Sequence, residues 1–89
     1  MTYFGIAWYK KEQWDELRRV SQDPEALEDT WKEWADVAEK RIIDIMRAGG
    51  NVRKVPVDVH DLVLWCRTQN RPVDGEARAA YVTSRLQSP

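Results

Sequence analysis

A single cysteine, Cys66, is all the thiol chemistry this chain carries. It excludes an intramolecular disulfide and a multi-thiolate metal site, so the fold stands without either staple and a reducing cytoplasm is the expected setting. Histidine is as scarce. His60 lies six residues before Cys66, and six helical residues turn through about 600°, which sends the two to different sides of one helix. His60 therefore reads as an exposed first-turn residue and Cys66 as a small packing group, with no catalytic residue, metal ligand or cofactor site implied. The four glycines form no phosphate-cradling or nucleophile-elbow motif, so they read as turn and cap residues. No apolar run reaches membrane-spanning length, and the opening segment lacks the basic and cleavage regions of a signal peptide. There is also no basic excess. A net charge of −1 speaks against a dedicated nucleic-acid binder, because such domains usually carry surplus positive charge.

What the chain has is tryptophan: Trp8, Trp14, Trp31, Trp34 and Trp65 in 89 residues. A domain this small has little core to work with. An indole buries on the order of 150 to 250 Å², so the tryptophans are expected to supply that core. Charge is distributed unevenly. Residues 1 to 46 hold seven Lys/Arg against eleven Asp/Glu, whereas residues 47 to 89 hold seven against four, an asymmetry that lets the halves attract each other or steers an acidic partner.

Tyr3 to Tyr9 (YFGIAWY) is aromatic and β-prone. From Lys10 to about Ser21, Trp14, Leu17 and Val20 recur at helical spacing, with Lys11/Asp15 and Asp15/Arg19 as outward i,i+4 pairs. Asp23-Pro24-Glu25 reads as the capped start of a long helix with an apolar stripe of Leu27, Trp31, Trp34, Ala35, Ala38, Ile42, Ile45 and Met46, ended by Gly49-Gly50. Its acidic residues interleave with Lys32, Lys40 and Arg41 as a solvated face, with Glu28/Lys32 and Asp36/Lys40 in pairing positions. Residues 52 to 57 (VRKVPV) read as a strand kept to an edge by Pro56. Asp58 caps a helix from about Val59 to Gln69; Asn70-Arg71-Pro72 breaks it, and Asp74 caps a last helix through Ala77, Ala80, Tyr81 and Ser84.

The reading is a mainly α, small single-domain α+β protein: four helices with at most a two-stranded β ribbon made by residues 3 to 9 and 52 to 57. It occupies residues 1 to 89 as one domain, with a first half to residue 50 holding the long helix, a second half from 51 to 87, and a frayed tail at 88 and 89. The pattern W-x8-D-P-E-A from Trp14 returns as W-x8-D-G-E-A from Trp65, which raises a βαα-βαα pseudo-repeat against the simpler explanation that two helical corners reuse one capping chemistry.

The segments YFGIAWY, W-x2-L at Trp14, the helix led by Asp23-Pro24-Glu25, KVPVD from Lys54 and WC-x7-DGEARAAYV from Trp65 together resemble a widespread set of short bacterial proteins of unassigned function. The resemblance implies a bacterial, cytoplasmic setting and brings no active site with it.

Function is narrowed to class. The expected role is a non-enzymatic protein-interaction module that binds itself or a partner protein. Its candidate contact residues are the aromatic set Tyr3, Trp8 and Tyr9 and a C-terminal face of Arg67, Arg71, Arg78, Tyr81 and Arg85, because arginine and aromatic side chains favour interface centres. The alternative is a small regulatory nucleic-acid-binding protein using the same arginines, with Arg53 and Lys54 nearby.

Overall fold

The computed structural model describes residues 3 to 87; the frayed tail expected at 88 and 89 lies outside them. The chain runs β1 (Tyr3–Tyr9), a 3-10 turn (Lys11–Gln13), α1 (Trp14–Val20), a second 3-10 turn (Pro24–Ala26), α2 (Trp31–Arg47), β2 (Asn51–Val57), α3 (Val59–Thr68) and α4 (Gly75–Gln87). Four helices and two strands form a small α+β domain, and the order strand, helix, helix occurs twice.

The two strands pair in parallel, from Tyr3 opposite Asn51 to Tyr9 opposite Val57. Parallel neighbours need a long crossover, and α1 and α2 supply it. Because successive side chains point to opposite faces, β1 divides its residues between two layers. Trp8 meets Trp34 of α2 at 4.9 Å between ring centroids, whereas Gly5 lies so close to Val82 and Leu86 of α4 that a Cβ would collide with both. The sheet is thus sandwiched between α2 and α4. Val55 and Val57 of β2 join Val59, Leu62, Cys66, Ala77, Tyr81 and Val82 in the core.

Among the tryptophans, only Trp14 is fully enclosed, at 2% exposed; the other four are half-buried. Trp8, Trp14, Trp31 and Trp34 form a cluster rather than a sealed interior. Trp34 is its hub, stacked on Trp14 at 5.2 Å and also touching Trp8, Trp31 and Tyr9. Their polar edges are satisfied by backbone: Trp14 Nε1–H donates to the Glu28 carbonyl and Trp31 Nε1–H to the Tyr9 carbonyl. Trp65 stands apart and packs edge-on to Tyr81.

The long helix begins later than its sequence suggests. Asp23-Pro24-Glu25 opens only a 3-10 turn, Leu27 is extended, and α2 starts at Trp31. Thr30 is the cap: its Oγ1 accepts from the Glu33 amide and donates to the Glu33 carboxylate, which satisfies one of the free amides of the first turn. Asp23 is drawn off by tertiary contacts. Arg78 grips its carboxylate with two bonds of 2.8 and 3.0 Å, and the Gly75 amide donates to the same group. Gln22 N–H donates to the Val73 carbonyl beside them, so the two helical corners are fastened together. Met46, assigned to the buried stripe, is 60% exposed because the stripe drifts off the sheet at the end of α2. Among the described residues the surface ion pairs include Arg18 with Asp29, Arg19 with Glu16, Lys32 with Asp36, and Lys54 with Glu39 across from β2.

The other termini follow their local chemistry. Asp58 accepts from the His60 and Asp61 amides, and Gln13 bridges Asp58 to the Val59 amide, tying the start of α3 to that of α1. Asp74 accepts from Ala77. Gly49 ends α2 at φ +89 and Asn70 ends α3 at φ +55, each followed by a residue whose amide reaches back to the last turn.

Candidate functional site

A groove of about 760 Å³ follows one side of β1. Its floor is the strand itself. Trp34, Val37, Ala38 and Arg41 of α2 form one wall and Ala79, Val82, Thr83 and Leu86 of α4 the other, while Ala26, Leu27 and Glu28 close the end beside Tyr9. The opposite end is open, and there Tyr3 and Phe4 stand 51% and 54% exposed.

This geometry follows from the sheet having two strands among the described residues. Each strand pairs on one side only, and alternate residues of β1 turn their amides and carbonyls away from β2. The two free sides differ in chemistry. β1 has no charged residue and no proline along Tyr3–Tyr9. β2 carries Arg53, Lys54 and Pro56, the charge and missing donor by which natural sheet edges resist further pairing. Lys54 is additionally fixed over the Trp8 ring at 3.9 Å while its Nζ bonds Glu39 at 2.9 Å.

The sequence-derived candidates are dispersed by the fold. Tyr3 lies at the open end of the groove, and Trp8 is half-buried between Trp34 and Lys54. Tyr9 and Tyr81 are each 5% exposed and belong to the core, so neither presents a contact face. Burial pushes the Tyr9 hydroxyl up to about 12 and raises that of Tyr81. The arginines do not form one patch. Arg78 is held in the corner, bonded to Asp23 and to Ser21 Oγ; the guanidinium bonds to Asp23 keep that carboxyl below the usual carboxylate range. Arg71 lies beside Trp65. Arg67 borders a shallow depression between α1 and α3 with Val20, Val63 and Leu64, and Arg85 shares a small cleft with Arg53 and Lys54.

Phe4, Val37, Arg41, Ala79, Thr83 and Leu86 are the groove-lining residues that sequence reasoning missed. A signal was present on α4, where Ala79, Val82, Thr83 and Leu86 recur at steps of three, one and three, a face distinct from that of Ala77 and Tyr81. Cys66 is buried, burial raises its thiol, and His60 is exposed. Among the described residues no group of three or more His, Cys, Asp or Glu could hold a metal ion, and no helix is long and apolar enough to cross a membrane. Comparison with protein-family models, curated proteins and solved structures returned no match.

Proposed function

We propose that the protein is a non-enzymatic interaction module whose binding surface is the open side of β1, acting by addition of a strand to the sheet. The observation that carries this reading is the contrast between the two sheet edges. β1 offers an uncharged, proline-free side at the floor of a groove, and β2 is guarded by Arg53, Lys54 and Pro56. Main-chain hydrogen bonds along such an edge supply affinity, and the flanking helix walls supply selectivity. The single buried thiol suits a reducing compartment, so a bacterial cytoplasm is part of the same proposal.

The nucleic-acid alternative draws less support. Arg78 is already neutralised by Asp23, and Arg67, Arg71 and Arg85 stand at three separate places.

Cross-linked capture from a native extract, run beside sedimentation of the pure protein, tests the reading with wild type, Phe4→Lys and Leu64→Lys. Any bound chain, foreign or a second copy, is expected to be lost with Phe4→Lys and kept with Leu64→Lys, which alters the remote α1–α3 depression. The reverse pattern would move the binding surface there and refute the β1 edge.

A further inference from the structure

We infer that the occupant of the β1 edge is β1 of a second copy of this chain, paired antiparallel about a two-fold axis over Tyr3 to Ala7, so that a four-stranded sheet forms in the order β2-β1-β1-β2. This rests on the reading of β1 as the binding edge and adds what binds there.

The distribution of side chains favours a second copy over a foreign peptide. Here the strand itself projects the exposed aromatics Tyr3 and Phe4, so it is as much ligand as receptor. Closure favours it too. Pairing two β1 strands consumes the unguarded side of both chains and leaves only the β2 sides, with Arg53 and Pro56, facing outward. Assembly then stops at two, as a closed isologous contact must. A foreign strand would instead present its own unpaired side to solvent.

The groove sets the register. Ala26 to Glu28 block the Tyr9 end, which confines pairing to the open half of β1 and centres it on Gly5. Gly5 then lies opposite Gly5 of the other copy, Phe4 opposite Ile6, and Tyr3 opposite Ala7, each pair sharing a sheet face. Phe4 and Ile6 form an aromatic–aliphatic cross-strand pair of the stabilising kind. Helices centred over the two strands of each copy would meet across the two-fold axis, because two strand spacings come to about 9.5 Å and packed helices stand about 8 to 10 Å apart. Val37 of α2, 52% exposed in the single chain, would be covered at that contact. A net charge of −1 gives two copies little reason to repel.

Sedimentation equilibrium from about 1 µM to about 1 mM is expected to show wild type and Leu64→Lys as dimers and Phe4→Lys as a monomer with a retained helical circular dichroism spectrum. Independently of that variant, Tyr3→Cys/Ala7→Cys made in a Cys66→Ala background should oxidise to a covalent dimer, since opposed residues of antiparallel strands lie about 4.5 to 5.5 Å apart between Cα atoms, within disulfide range. A wild-type monomer throughout that range, a folded Phe4→Lys that remains dimeric, or absence of the covalent dimer would each overturn the inference. A monomer that still captures a foreign protein, lost on Phe4→Lys, would overturn the second copy as occupant while leaving the β1 edge as the binding surface.

Discussion

Arg78 shows how one side chain can be diverted from surface chemistry into architecture. Its side chain is 11% exposed, and the guanidinium forms a two-point contact with Asp23 while a third bond reaches Ser21 Oγ. Geometry of this kind belongs to arginine, because lysine offers a point charge where two parallel bonds are needed. Arg78→Ala should cost about 2 to 3 kcal/mol of stability, on the scale of lost hydrogen bonds to a charged group, and Arg78→Lys should recover less than half of it; urea denaturation measures both. The carboxyl of Asp23 is depressed by this contact, so its contribution is present above the unfolded value near 3.9 and is lost as pH falls through the folded value. Tyr9 runs in the opposite direction. Its hydroxyl is raised by burial to about 12, so the stabilisation is complete below pH ~10 and disappears as pH rises toward the folded value. Alkaline titration followed by tyrosinate absorbance should show Tyr9 ionising together with unfolding, and a Tyr9 signal completed near pH 10 in the folded protein would contradict its burial.

At the level of elements, α2 gives the sharpest lesson about what local sequence can specify. Two capping signals precede it, Asp23-Pro24-Glu25 and Thr30-x-x-Glu33, and both are chemically sound. The choice between them is tertiary: Asp23 is taken by Arg78, and the Glu28 carbonyl is taken by the Trp14 indole. These two contacts help to hold residues 27 to 30 outside the helix. Thr30→Ala should therefore destabilise the protein by about 1 kcal/mol, the usual loss of a side-chain cap, as judged from the thermal transition followed by circular dichroism. An unchanged transition would mean that the cap adds nothing to packing already in place. Elsewhere the local signals were sufficient. Asp58, Asp74, Gly49 and Asn70 mark their helix ends, and Asp58 keeps one oxygen for the His60 and Asp61 amides while the other accepts from Gln13.

For the whole molecule, the four helices and the two strand segments were legible because each is announced by its own periodicity and caps. The groove was not, since it depends on which sides of the strands face each other, and parallel pairing depends on the long α1–α2 crossover that joins the strands. Reading aromatic content as contact surface led to Tyr9 and Tyr81, which the core absorbs, and passed over Phe4, which stands at the groove mouth. If pairing at that mouth links two copies, folding and association share one equilibrium. The melting temperature of wild type should then rise with protein concentration by mass action, and that of Phe4→Lys should not; differential scanning fluorimetry over a dilution series reads the difference.

The parallel pairing also fixes a waiting time in the life of each new chain. β1 finds its neighbour only after everything from Lys10 to Val57 has been made, which at ribosomal speeds takes roughly 2 to 10 s. For that interval an uncharged aromatic segment has no strand to lie against, on a nascent chain crowded by others of the same kind. Slow codons between the two strands would lengthen the exposure and fast ones shorten it. The yield of soluble protein should therefore depend on translation rate as well as on the stability of the finished fold.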